Sequence, residues 1–206
     1  LTVLTSGTNI INRFHRRRPI TWTGGTLCGT GQLGQATASG VTAKQLQPGF
    51  LTTGILTTSN LVLNSSVTAT FEINGLTPGV DYDQIVISNA NVTLGSAALN
   101  LSFLGSLVPS FGDTITLINV LNLANTVTGT FAGLPEGAHF TNNNYMYQLS
   151  YVGGDGNDVT LTTFGFVSTG NVRLWGGDGA NSLWSNATNW TSLPAQGDSL
   201  RFSANI

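Results

Sequence analysis

Charged side chains are scarce in this sequence of 206 residues. Asp, Glu, Lys and Arg make up 8% of the chain, whereas they make up about a quarter of a typical soluble domain. Nine acidic and seven basic residues give a net charge of -2, which does not supply the basic surface that nucleic-acid binding requires. We therefore expect no nucleic-acid partner, and we expect the abundant Thr, Ser and Asn side chains to solvate the surface.

Cysteine and histidine are also nearly absent. Cys28 is the only cysteine, so neither an intrachain disulfide nor a cysteine-based zinc site can form. His15 and His139 are the only histidines, and the motifs His-Glu-x-x-His and Gly-x-Ser-x-Gly are missing. Asp81 and Asp83 are the closest acidic pair, but their Gly- and Pro-containing segment predicts a solvated turn. We therefore expect no enzymatic activity.

Long apolar runs are lacking as well. None approaches the roughly 18 to 20 residues that a membrane-spanning helix needs, so no transmembrane segment is predicted. The chain has no recognisable signal peptide, and it begins with Leu1 rather than Met. We expect it to be an internal or processed fragment of a larger precursor.

Helical periodicity is missing too, and short apolar or alternating runs recur in its place. Such runs at regular spacing predict an all-β protein. From residue 24 to residue 101 the runs are separated by Gly or Asn turns, which predicts a parallel β-helix, a β-solenoid whose coils stack. For residues 105–165 an antiparallel β-sandwich-like part is the alternative. The predicted strands are 55–56, 61–63, 67–73, 85–87, 92–94, 99–103, 115–120, 147–151 and 159–163.

Basic residues are concentrated in one place, the segment 1–23. Four of the seven basic side chains lie there, which is typical of an anionic docking site or of a solvated arm. We treat 1–23 as an atypical basic N-terminal segment. Its charged cluster consists of Arg13, Arg16, Arg17 and Arg18, with His15 between them.

An ordered series of short motifs extends over residues 24–163. It includes Gly-Gly-Thr-Leu-Cys-Gly-Thr-Gly at 24–31, Leu-Gln-Pro-Gly at 46–49 and Gly-Asp-Thr-Ile-Thr-Leu-Ile at 112–118. In this order the motifs resemble bacterial autotransporter passenger repeats, the autotransporter-associated β-strand repeat surface proteins. The resemblance implies a secreted, surface-displayed β-solenoid without catalytic machinery. The basic segment 1–23 and Cys28 depart from the usual texture of that family.

The series predicts a main unit at 24–165 and a Trp-rich segment at 166–206 that resembles the start of another repeat. Trp175, Trp184 and Trp190 lie in this segment. Aromatic faces of this kind could form a platform on which sugars stack, or they could pack together as a small core or cap.

One segment of the main unit, 153–158, resembles a calcium-binding β-roll motif, Gly-Gly-x-Gly-x-Asp. Asp155 and Asp158 could supply oxygen ligands to Ca²⁺. Only one copy is present, and its Gly, Asn and Asp residues are also typical of a hairpin turn between two strands. Calcium is the one cofactor that the sequence suggests.

These observations favour a structural or adhesive module of a secreted bacterial protein at the outer cell surface. Self-association, or association with neighbouring repeats of the same protein, into a filament or layer is the expected interaction, because solenoid ends expose unpaired strand backbone. The alternative is a carbohydrate-binding module that uses exposed aromatic residues to bind glycans. A β-helical polysaccharide lyase or hydrolase is disfavoured, because the charged residues are too thinly spread.

Overall fold

The structure is a computed structural model that describes residues 2–11, 19–105, 107–166, 172–175, 183, 185–190, 193–194 and 198–202. In these ranges the regular elements are β-strands and one 3-10 helical turn, Ala187–Asn189, so the all-β prediction is confirmed. Among the described residues, no helix has the length and apolar character needed to cross a membrane.

The strands fall into three sheets. Their bounds are β1 Thr2–Leu4, β2 Thr8–Ile10, β3 Ile20–Trp22, β4 Gly25–Gly29, β5 Gln32–Ala38, β6 Lys44–Pro48, β7 Ile55–Val62, β8 Val67–Ile73, β9 Gln84–Ile87, β10 Val92–Thr93, β11 Ala98–Phe103, β12 Thr114–Val120, β13 Val127–Thr128, β14 His139–Asn142, β15 Tyr145–Gly153, β16 Asp158–Phe166, β17 Val172–Trp175 and β18 Ser199–Phe202.

From β1 to β9 successive strands alternate between two sheets. The larger sheet has the order β1-β3-β5-β7-β9-β12-β16-β15-β14, and β10 joins it beside β7 and β13. The smaller sheet has the order β11-β8-β6-β4-β2. Pairing within the smaller sheet, and from β1 to β12 in the larger one, is parallel.

Side chains on these strands alternate between a buried row and an outward row. In β8, Val67, Ala69, Phe71 and Ile73 are buried, whereas the three residues between them are partly exposed. Full burial of a Val, Ile or Phe side chain contributes about 1.5 to 3 kcal/mol. The core therefore lies on the inward faces of the two sheets.

The parallel register places equivalent residues of different strands side by side. One inward row of the larger sheet is apolar, and the row next to it consists of Thr and Val. The inward row is Ile20, Ala36, Leu61 and Val92, and the outward row is Thr21, Thr37, Val62, Thr93 and Thr128. This outward row therefore exposes hydroxyl and methyl groups of β-branched residues and contains no charged side chain.

Two sequence predictions need correction here. The segments 55–56 and 61–62 lie on one strand, β7, because Thr57 to Asn60 form part of its pairing with β5, and Leu63 follows the end of this strand. The antiparallel strands of residues 105–165 do not form separate facing sheets among the described residues. Instead they extend the larger sheet, because β12 pairs parallel with β9 on one side and antiparallel with β16 on the other.

The chain divides into two compact units. The first contains Leu1–Phe140 and Tyr147–Thr163, and the second contains Thr141–Met146 and Phe164–Ile206. Strands β1 to β3, which include parts of segment 1–23, belong to the first unit and pair within its sheets. The basic cluster Arg13, His15, Arg16, Arg17 and Arg18 lies outside the described residues.

In the second unit, β17 and β18 form a parallel pair. Arg173 Nε donates to Asp198 Oδ2 at 2.6 Å. This ion pair joins β17 to the residue that directly precedes β18.

Candidate functional site

The segment that resembles a calcium motif connects two neighbouring strands, β15 and β16. The backbone N–H of Gly156 donates to the carbonyl oxygen of Gly153 at 2.8 Å. A Cβ at Gly154, where φ is +58°, would overlap Asp158 Oδ2. The local geometry is that of a tight turn, the alternative that its Gly, Asn and Asp content also predicts.

Within this turn the two aspartates have different surroundings. Asp155 is exposed, whereas Asp158 is buried and its Oδ1 accepts the backbone N–H of Val120 at 2.8 Å. Burial raises the pKa of Asp158, the hydrogen bond from Val120 opposes this effect, and the charge of Asp155 raises the pKa further. Asp158 thus ties β16 to the end of β12.

This arrangement does not supply a full set of metal ligands from side chains. In the described ranges, no three His, Cys, Asp or Glu side chains are grouped as a metal site requires. A calcium ion held by Asp155 and Asp158 stays a prediction.

The structure brings together two of the three tryptophans singled out in the sequence. Trp175 and Trp190 pack edge to face, with ring centroids 4.9 Å apart and an angle of 75° between the planes. Trp190 is only 6% exposed, so it has little ring surface to offer to a sugar. Trp184 lies outside the described residues. The contact is that of a small core, and a glycan site at these residues stays a prediction.

A third location, around Asp83, was missed by sequence reasoning. Asp83 was expected in a solvated turn, but it is 1% exposed. Its Oδ1 accepts the backbone N–H of Gly54 at 2.8 Å, and its Oδ2 accepts that of Glu72 at 2.9 Å. The solvated-turn prediction is therefore wrong for Asp83, because the carboxylate satisfies two backbone donors inside the protein.

Burial governs the ionisation of this carboxyl group. It raises the pKa of Asp83 to about 7, the hydrogen bonds from Glu72 and Gly54 oppose the shift, and the negative charge of Glu72 adds to it. The acidic residue that acts on the Asp83 carboxyl group is thus Glu72, on β8, rather than Asp81, which is closer in sequence. Asp81 instead accepts the backbone N–H of Thr77 at 3.0 Å.

Asp83 and Glu72 line the same small concavity, which we call the Asp83 pocket. Its volume is about 130 Å³. It opens beside the outward face of the smaller sheet, because Gln47 and Thr70 occupy outward positions on β6 and β8. The lining residues are Gln47, Pro48, Phe50, Leu51, Thr70, Glu72 and Asp83.

The loop 49–54 forms one wall of the Asp83 pocket. Gly49 has a φ of +74°, and a Cβ there would overlap the carbonyl oxygen of Thr52. Leu51 also has a positive φ, +62°. Thr53 Oγ1 donates to the carbonyl oxygen of Val80 at 2.5 Å, and Gly54 is held by Asp83. These bonds fix the loop that carries Phe50.

A different kind of feature, a strand edge, lies at β11. In the described part of the chain β11 is a terminal strand of the smaller sheet and pairs only with β8. Leu99 and Leu101 sit in register with Ala69 and Phe71, which are at most 1% exposed, yet both leucines are partly exposed. The β11 edge, defined as Ala98–Phe103, therefore leaves its apolar row incompletely covered.

Comparisons with known proteins do not identify a family for this chain. No protein-family model matches it, and no curated protein is detectably similar to it in sequence.

Proposed function

We propose that this chain is a structural or adhesive module of an exported bacterial surface protein. The strands from β1 to β12 form a parallel β-helix in its first unit, and the chain associates with further copies or repeats by adding a strand to the β11 edge. The proposal includes an extracellular location and an autotransporter-like passenger architecture.

The β-helix proposal rests on chain order and register. Strands β1 to β9 alternate between two sheets, and each strand pairs parallel with the strand two places before it, as successive coils would. Inward residues stack on inward residues in these pairs, for example Leu27 on Leu46 and Leu46 on Ala69. In such repeat architectures each coil buries its core only against its neighbours.

The surface location is supported by the composition and by the outward rows. Thr and Val cover one outward row, and charged residues make up only 8% of the chain. The resemblance of residues 24–163 to passenger repeats points to the same location. A module of this kind displays its faces and edges and needs no catalytic groups.

The observation that carries the association proposal is the incomplete burial of Leu99 and Leu101 on the β11 edge. A terminal strand presents unpaired backbone groups on one side and is a template for another strand. A strand added there would bury Leu99 and Leu101 as β11 and β6 already bury Ala69 and Phe71. Strand addition of this kind gives affinity through main-chain hydrogen bonds.

The experiment compares the particle mass of wild-type protein and variants by light scattering over a range of concentrations. We expect Leu101→Lys to raise the concentration at half-assembly by about tenfold or more, equivalent to at least about 1.4 kcal/mol. Asn100→Lys, at an exposed position of the same strand, should act in the same direction because a lysine on an edge strand disfavours strand addition.

The matched control is Thr68→Lys, which places the same charge on the outward face of β8, an interior strand of the same sheet. Circular dichroism and thermal unfolding establish that each variant is folded. Assembly that is the same in all variants, or a wild-type protein that stays monomeric, would contradict the proposal.

A further inference from the structure

We propose that the Asp83 pocket binds an uncharged, hydroxyl-rich sugar unit of a polysaccharide. The site is separate from the tryptophan pair of the second unit and from the β11 edge. It adds a binding activity to the structural role and does not depend on that role.

The pocket combines an aromatic side chain with several polar groups. Phe50 lines the pocket and is 39% exposed, while Gln47, Thr70 and Glu72 offer an amide, a hydroxyl and a carboxylate. Ligand sites generally combine an apolar or aromatic wall with a few placed polar groups. A sugar ring matches this set, because it has an apolar C–H face and several hydroxyl groups.

The charge of the pocket points to neutral sugars. Among the described residues that line the pocket, the charged ones are Glu72 and Asp83, and both are acidic. Hydroxyl groups donate strong hydrogen bonds to carboxylates, whereas an acidic sugar would meet like charge. The pocket therefore favours neutral sugars over uronates and sulfated sugars. Glu72 is partly exposed and Asp83 is buried, so Glu72 is the carboxylate that a ligand meets first.

The pocket is small, and hydrogen bonds hold one of its walls. The pocket, about 130 Å³, has the volume of about four water molecules, so one partly inserted sugar ring fills it and the rest of a chain lies outside. The adjoining outward face of the smaller sheet carries further amide and hydroxyl groups, including Asn100, whose Nδ2 donates to Thr70 Oγ1 at 3.3 Å. The bonds of Gly54 and Thr53 hold the loop of Phe50 before any ligand arrives, which lowers the entropic cost of binding.

The test is titration calorimetry with a panel of neutral glucose-, mannose- and galactose-based oligosaccharides and with uronate oligosaccharides as charged counterparts. We expect at least one neutral oligosaccharide to bind more tightly than the uronates. Phe50→Ala and Glu72→Gln should each weaken that binding by about tenfold or more. Phe111→Ala, at an exposed Phe that does not line the pocket, should leave it unchanged.

Several outcomes would overturn the proposal. They are failure of all neutral oligosaccharides to bind, tighter binding of the uronates, and binding that both pocket variants retain. Binding lost only in Trp175→Ala would move the glycan site to the tryptophan pair. Light scattering on the same samples measures the particle mass, and therefore assembly, independently of sugar binding. A lack of sugar binding would thus leave the proposed association through the β11 edge unaffected.

Discussion

Asp83 and Glu72 are joined by two hydrogen bonds that run in opposite directions, one between backbone groups and one from a backbone N–H to the Asp83 carboxylate. The N–H of Asp83 donates to the carbonyl oxygen of Glu72 at 2.9 Å, and the N–H of Glu72 donates to Asp83 Oδ2, also at 2.9 Å. The pair closes the loop 74–82 onto the end of β8. It also sets a buried carboxyl group beside a second acidic residue, and the described residues that line the Asp83 pocket include no base.

The buried Asp83 predicts that stability falls as the pH rises. Because its pKa is raised from 3.8 to about 7 in the folded protein, folded chains hold the proton that unfolded chains release. The contribution is fully present below about pH 4 and is lost as the pH rises through about 7, with a slope of up to about 1.4 kcal/mol per pH unit. Chemical denaturation from pH 4 to pH 8 should show this slope in the wild-type protein and not in Asp83→Asn.

The control for that measurement is Asp81→Asn. Hydrogen bonds from Thr77 lower the pKa of Asp81, so its contribution has the opposite sign and is lost as the pH falls. If Asp83→Asn has the same pH profile as the wild-type protein, then Asp83 is not the buried acid that the structure describes.

Replacement of the buried Lys44 is expected to lower the stability of the fold. It is 1% exposed, and its Nζ donates to the carbonyl oxygens of Gly40 at 3.3 Å and Thr42 at 2.6 Å and to Ser66 Oγ at 2.6 Å. Burial lowers the pKa of Lys44. Lys44→Met keeps an aliphatic side chain but leaves these three acceptors without their donor. We expect it to lower the free energy of unfolding, measured in urea, by about 1 to 3 kcal/mol.

Its neighbour Gln45 is exposed and provides the comparison. Gln45→Met should change the free energy of unfolding by no more than about 0.5 kcal/mol. Equal effects of the two substitutions would show that the ammonium bonds of Lys44 do not stabilise the fold.

The turn at Asp158 makes a prediction about calcium. Asp158→Ala removes the acceptor of the Val120 N–H and should cost about 1 to 3 kcal/mol, whereas Asp155→Ala, at an exposed position, should cost little. If the turn is purely structural, calcium and a chelator leave the Tm of the wild-type protein unchanged. A rise in Tm with calcium that both alanine variants abolish would instead establish the calcium site.

The tryptophan contact makes a prediction about the second unit. Trp190→Ala should destabilise this unit by about 3 to 5 kcal/mol, as for other large buried aromatic residues, with Trp190→Phe in between. Near-ultraviolet circular dichroism recorded during unfolding measures the stability of the packed tryptophan pair in each variant. Leu193→Ala, at an exposed position, is the control, and a Trp190→Ala variant as stable as this control would show that the ring contact does not stabilise this unit.

Sequence patterns predicted strands best where one face of a strand is buried. The alternation from Val67 to Ile73 coincides with β8 because apolar and polar residues change at every position. The prediction of two separate strands within 55–63 was wrong because Thr and Ser occur in strands and in turns alike. Only the pairing with β5 shows that β7 continues through these residues.

The Asp83 pocket could not be predicted in this way, since it depends on contacts between distant segments. Asp83 is 29 residues from Gly54 and 11 from Glu72, and nothing local to a Gly- and Pro-containing loop indicates that it folds back onto β8. The one local signal was that Asp83 directly precedes β9, of which Ile85, Val86 and Ile87 are apolar. The burial of Lys44 was equally hidden, because its acceptors are mostly backbone carbonyl oxygens.

Association through the β11 edge can be observed by negative-stain electron microscopy of the purified protein. We expect assemblies that lengthen or spread as the protein concentration rises, and we expect Leu101→Lys to abolish them under the same conditions. Isolated particles of constant size at every concentration would contradict this proposal, as would assemblies that Leu101→Lys forms as readily as the wild-type protein.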